Sequence, residues 1–180
     1  ALASEGDFAV YREVTGTETI GTALSDQAFD TTVTEGGGFS MDAGRVLVDL
    51  VSDGHYLVMY NLGINTASGS NRSEIQGIID LAGTNLAYGR SSCYIRRSQG
   101  NNECWIFGSA IIDASAGQDL KIEAQRTDSN SATVDRRANE SGLTLLQLGE
   151  SWDYLRVQEA GGGQTFNSAT FATVDWDTND

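Results

Sequence analysis

The 180 residues carry 11 basic against 25 acidic side chains, a net charge of −14, with 39% hydrophobic residues. A surface of that sign repels nucleic-acid phosphates and anionic lipid headgroups, which argues against both as partners. The longest apolar run, Tyr56 to Ile64, falls well short of the roughly 20 residues that cross a bilayer as a helix, so no membrane insertion is expected. Lys121 is the only lysine beside ten arginines, a composition that suits a salty medium, with ordinary compositional drift as the alternative. The opening "ALASEGDF" has neither the charged nor the apolar region of a secretion signal.

In chain order, apolar residues recur with a period of two. "RVLVDLV" (45–51) comes first, then "GHYLVMYNLGI" (54–64). In the latter, Tyr56, Val58, Tyr60, Leu62 and Ile64 share one face, and His55, Leu57, Met59 and Asn61 the other. The first face is strongly apolar and the second partly so, the pattern of a central strand that packs on a core and on a neighbouring subunit. Leu57 and Met59 are therefore candidate oligomer-interface residues. "SEIQGIIDL" (73–81) follows, and then Cys93 and Cys104, which flank "YIRRSQGNNE". The turn signal "SQGNN" places the two cysteines across a hairpin, where a disulfide would close a loop of about a dozen residues. Two free, partly buried thiols are the alternative. "CWIFGSAIIDA" alternates Cys104, Ile106, Gly108, Ala110 and Ile112 against Trp105, Phe107, Ser109 and Ile111. "DLKIEAQR" (119–126) turns Leu120, Ile122 and Ala124 inward and Lys121, Glu123 and Gln125 toward water. "SATVDRR" and "GLTLLQL" complete the series.

Glycine is frequent (21) and proline absent, so Gly, Asn, Asp and Ser make the turns "SDG", "AGTN", "SAGQD" and "TDSN". No stretch offers a capped amphipathic helix. The fold class is all-β, a two-sheet jelly-roll sandwich.

Three segments resemble the tumour-necrosis-factor and complement globular-head jelly-roll superfamily over about residues 7–150. The first is a Gly-rich approach to a Phe, "GGGFSMDAGRV", before the aromatic strand "GHYLVMYNLGI". The second is the small-residue strand, turn and alternating strand "GSAIIDASAGQDLKIEAQR". The third is the closing "ESGLTLLQL", with Leu143 where the family usually has an aromatic. The resemblance, to a bacterial or viral member, implies a compact homotrimer that binds partners rather than catalyses a reaction.

Beyond that domain the chain starts again. "DYLRVQE" (153–159) matches "DFAVYRE" (7–13), pairing Asp153 with Asp7, Tyr154 with Phe8 and Glu159 with Glu13. After a short gap, Phe171 and Thr173 meet Phe29 and Thr31. The expected organisation is a jelly-roll domain over 1–150, then 151–180 as linker and first strands of a second tandem copy, with a period of roughly 140–146 residues; two unrelated edge strands of shared composition are the alternative.

Candidate chemistry is sparse. His55 is the only histidine, and a relay with Ser52 and Asp53 is poorly arranged within one turn. With one histidine and two cysteines, a tetrahedral zinc site would need carboxylates as well. No cofactor is expected. Calcium is considered at "DWDTND", where Asp175, Asp177 and Asn179 resemble the start of a calcium loop without its Gly and distal Glu. Tyr94, Arg96, Arg97 and Trp105 form a candidate ligand-contact surface for glycan or protein; cross-strand packing explains the same residues. Asn71 and Asn139 begin glycosylation sequons.

Three functional readings follow. The first is a non-enzymatic structural or adhesion module on the surface of a virion or extracellular fibre, as in phage head, decoration or tail-fibre proteins, with itself and neighbouring structural subunits as partners. The second is a secreted lectin-like module that binds a surface glycan or protein. The third is a polysaccharide-acting enzyme that uses paired carboxylates.

Overall fold

The computed structural model describes residues 6–68, 72–96, 102–128, 133–149, 157–158 and 178–179. The chain divides into two compact units, Ala1–Glu150 and Ser151–Asp180. In the first unit the strands are, in order, β1 (Phe8–Glu13), β2 (Glu18–Thr19), β3 (Ser25–Asp26), β4 (Thr31–Glu35), β5 (Phe39–Met41), β6 (Val48–Leu50), β7 (Gly54–Ser68), β8 (Ser73–Leu81), β9 (Thr84–Ile95), β10 (Glu103–Ala114), β11 (Gln118–Arg126), β12 (Thr133–Arg136) and β13 (Ser141–Leu148). No helix occurs among the described residues, so none there is long and apolar enough to cross a membrane. In the second unit, β14 (Val157–Gln158) pairs antiparallel with β15 (Thr178–Asn179).

Two antiparallel sheets form the sandwich. The first runs β4–β1–β13–β7–β10, with β12 and β2 continuing the β13 and β1 positions along β7. The second runs β5–β6–β11–β8–β9, with β3 beside β11. Their inner faces follow the period-two pattern. Tyr56, Val58, Tyr60, Leu62 and Ile64 of β7 and Ile106 and Ile112 of β10 meet Val48, Ile75, Ile79, Leu120 and Ile122 of the second sheet, all buried. This is the jelly-roll sandwich that the alternation predicts.

Glycine is required where the Tyr60 ring crosses the core. A Cβ on Gly108 would lie 2.2 Å from the Tyr60 Cε1, and one on Gly77 2.8 Å from its Cε2. The ring thus occupies a slot with one glycine on each sheet. Its hydroxyl donates to the carbonyl of Gly89 at 3.3 Å, and burial pushes its pKa up. Gly89 reaches that position because the β8–β9 ladder jumps from Gly77↔Ser91 to Ile79↔Leu86, so residues 87–90 bulge out of register. The β8–β9 turn places Ala82 (φ 51) and Gly83 (φ 80) both in left-handed conformation, as a two-residue hairpin requires.

Two expectations need correction. β9 and β10 do not form a hairpin: β9 pairs with β8 in the second sheet and β10 with β7 in the first. The chain crosses between sheets there, and hairpin and crossover need the same polar linker, so the turn signal could not separate them. The outer face of β11 also departs from a wet one. Glu123 and, opposite Lys121 on β8, Asp80 are buried, joined through Asn85, whose amide donates to both carboxylates at 2.8 and 3.2 Å.

Candidate functional site

On the outer face of the first sheet, the register aligns side chains in rows. Phe8, Leu146, Leu57 and Ile111 stand across β1, β13, β7 and β10; Val10, Thr144, Met59 and Ser109 form the next row; Arg12, Gly142, Asn61 and Phe107 the third. Trp105, opposite Gly63, extends the face at the β10 edge. Several of these large apolar side chains are open to solvent: Phe8 is 50% exposed, Met59 39%, Trp105 46% and Phe107 69%. Phe8, Leu146, Leu57 and Ile111 make an apolar row, and Met59 and Phe107 extend it through rows that also carry Thr144, Ser109, Asn61 and Arg12; exposed apolar side chains grouped on one face are a common feature of interaction surfaces. Leu57 and Met59 lie in its middle. Phe8, Phe107, Ile111 and Leu146 join them although only the β7 pair is marked by sequence; the β10 alternation of Phe107 and Ile111 held the signal, but which strands flank β7 is a tertiary fact.

At the end of the face, His55 and Asp113 oppose each other across β7 and β10, with Nε2 4.0 Å from Oδ1 and both side chains largely in water. That separation is too long for a hydrogen bond. Ser52 contributes its carbonyl, which accepts the Tyr56 hydroxyl at 2.6 Å. Among the described residues no group of three or more His, Cys, Asp or Glu is arranged to hold a metal ion. Asp175 and Asp177 lie outside the described residues, and of Asn179 only the backbone pairing with Val157 is described. The residues of the tandem-copy match also lie largely outside them.

Cys93 and Cys104 are joined by a disulfide with their Cα atoms 6.1 Å apart. Each alternates inward, beside Ile95 and Ile106, so the bond links the edge strand of one sheet to the edge strand of the other. This placement separates the ligand-contact residues. Tyr94, between Cys93 and Ile95, projects from the outer side of the second sheet, whereas Trp105, between Cys104 and Ile106, projects from the first. The two rings flank the disulfide without sharing a sheet face. Arg96 is exposed at the end of β9, and Arg97 lies outside the described residues.

Among the described residues of the first sheet, charge is buried at one place. Arg136 of β12 donates to Glu13 Oε2 at 3.1 Å and to the carbonyl of Ala28, and its guanidinium stands 5.9 Å from the centroid of Phe29. Glu18 Oε2 is also 3.1 Å away. Burial pushes the Glu18 carboxyl up and the Arg136 guanidinium down, each restrained by the other's charge. The cluster fastens the 18–29 segment, which passes from β2 in the first sheet to β3 in the second. Its members are far apart in sequence, and it is structural.

No protein-family model and no curated protein sequence matches this chain. Solved structures do. A tumour-necrosis-factor protein, Eiger from S. frugiperda, superposes with a TM-score of 0.62 at 13% identity, covering 87% of this chain and 100% of its own. Murine APRIL at pH 5.0 gives 0.56 at 11% identity over 80% of this chain and all of its own, and at pH 8.5 gives 0.54. The architecture is therefore that of the tumour-necrosis-factor-like jelly rolls. At such identities the likeness is one of fold.

Proposed function

We propose that this chain is a non-enzymatic structural or adhesion module that assembles with itself as a homotrimer and is displayed outside the cytosol, on a virion surface or extracellular fibre. The observation that carries the reading is the apolar outer face of the first sheet, where Phe8, Met59, Trp105 and Phe107 stand in solvent in the single chain. Burying a large apolar side chain is worth about 1.5–3 kcal/mol, so a face of this size favours a complementary copy. The tumour-necrosis-factor-like fold supports self-association with threefold closure. The disulfide supports an oxidising location, and an acidic surface with net charge −14 supports solubility there. Light scattering coupled to size exclusion tests it: the expected mass is that of three chains, and a monomer at micromolar concentration overturns the assembly.

Tyr94, half exposed on the opposite sheet, favours a second reading as a glycan- or protein-recognition module. Glycan binding that is lost in Tyr94→Ala, with the oligomer intact, would move the assignment to recognition.

A further inference from the structure

We infer that the Cys93–Cys104 disulfide is a redox latch on assembly, an inference that rests on the self-association proposed above and names its regulation. Three observations lead to it. First, the bond joins β9 to β10, the free-edge strands of opposite sheets, and no backbone ladder links these two strands among the described residues. Second, the two strands are held unequally by their own sheets. β10 pairs with β7 without interruption from Glu103↔Asn65 to Ala114↔Gly54, whereas the β9 ladder on β8 is broken by the bulge at residues 87–90. Third, Trp105, next to Cys104, and Phe107 beyond it carry the exposed edge of the interface, and both cysteines are only partly buried, within reach of a small thiol.

Opening the bond with a low-molecular-weight dithiol balances as disulfide exchange. The reductant's two thiols become its own disulfide, and Cys93 and Cys104 each take up one proton and one electron as free thiols. The sheets then keep their ladders, so the fold survives, but the spacing of the two edges is no longer fixed covalently. β10 keeps its ladder on β7, but the β9 end that backs it moves, so the interface edge around Trp105 loses the covalent support on its inner side. Assembly needs that shape more than the fold does, because complementarity rather than area sets affinity.

The test uses the full chain, oxidised, reduced with dithiothreitol and reoxidised, and the variants Cys93→Ser and Cys104→Ser. Dilution-series light scattering reads assembly, and far-ultraviolet circular dichroism reads the strands. The expected result is a concentration midpoint for trimer dissociation raised at least tenfold on reduction and in both variants, with the β signal retained and the oxidised midpoint restored on reoxidation. A trimer whose midpoint moves less than twofold overturns the latch and leaves self-association standing. Loss of the β signal together with the trimer overturns it too, making the bond a fold staple. An oxidised protein that never associates removes the underlying reading instead.

Discussion

The two outer faces of the sandwich are made by strands of the same kind, yet they treat charge in opposite ways. On the first sheet the row Phe8, Leu146, Leu57 and Ile111 is apolar and the next two add Met59 and Phe107 beside the uncharged Thr144, Ser109 and Asn61, with Arg12 as their one charged member, and the sheet's principal ion pair is inside, around Arg136. On the second sheet the outer rows are charged and interlinked: Lys121 bridges Asp26 and Glu123 at 2.8 and 3.0 Å, and Asn85 ties Glu123 to Asp80. A face that satisfies its own polar groups has no need of a partner, whereas an apolar face in water has a standing reason to be covered. The difference is the reason the proposed self-association is assigned to the first sheet rather than the second.

The largest expected effect comes from the buried charge. Arg136→Ala leaves Glu13, itself buried, without its cation and opens space beside Phe29. It should cost about 3–5 kcal/mol of stability, read as a lowered urea midpoint. The triple variant Arg136→Met, Glu13→Gln and Glu18→Gln should recover much of the loss, since the residual carboxylates, and not the missing pairs, are the main penalty. Recovery of none of it would show that the Ala28 contact and the Phe29 packing dominate.

Next is the contrast between the faces themselves. Met59→Glu puts a carboxylate in the centre of the apolar rows and should weaken self-association about a hundredfold or more, with the single chain's thermal stability little changed because the position is partly in water. Gln125→Glu on the outer side of β11 adds the same charge to the other face and should leave association within twofold. Equal effects from both would sink the assignment of the interface to the first sheet.

A smaller effect is expected at Lys121. Its ammonium is held above its ordinary pKa chiefly by the hydrogen bond to Asp26, and also by the one to Glu123, against some burial. The Asp26 pair is partly in water and the buried Glu123 keeps its hydrogen bond from Asn85, so Lys121→Ala should cost only about 1 kcal/mol, well under the Arg136 variant. A loss as large as that of Arg136→Ala would mean that the second sheet depends on its charge network as the first depends on its buried pair.

How much of this was legible in the sequence follows from the range of each signal. Strand alternation is local, so the inner faces of β7, β10 and β11 and the jelly-roll class could be read directly from residues such as Tyr56, Val58 and Ile122. Sheet membership is not local. Cys93 and Cys104 pair as their spacing allows, but between sheets, and the polar residues between them carry no mark of a crossover. For the same reason Tyr94 and Trp105 read as neighbours and stand on opposite faces. The Arg136 cluster joins residues 123 positions apart, and "DRR" alone gives no sign of which arginine is buried. The apolar face was half visible: Leu57 and Met59 were marked by their own strand, whereas Phe8 and Leu146 enter only through the pairing of β1 and β13.

The smallest effect probes the charged face through pH. Asp49 and Asp119 oppose each other across β6 and β11, and Asp49 is held above the usual carboxylate range by the hydrogen bond it shares with Asp119, by desolvation and by the latter's charge. A carboxyl whose folded pKa is raised binds its proton more tightly folded than unfolded, so its contribution falls as pH rises through the unfolded and then the folded value. Above that window both carboxylates are ionised and repel. Asp49→Asn should therefore stabilise the protein at neutral pH by a few tenths of a kcal/mol, about what exposed charge pairs give, and the gain should disappear once acid protonates the pair. Asp30 supplies the opposite sign. Its pKa is lowered by the hydrogen bond from the Thr15 hydroxyl and by others from Val14, Thr31 and the Thr15 amide, so its contribution is present above the unfolded carboxylate value and is lost as pH falls through the lowered folded one. Thermal melts of the Asp49→Asn and Asp30→Asn variants between pH 3 and 7 should thus diverge from the parent in opposite directions at neutral pH and converge on it in acid. A destabilised Asp49→Asn at neutral pH would show that the carboxylate makes a favourable contact that outweighs its repulsion from Asp119.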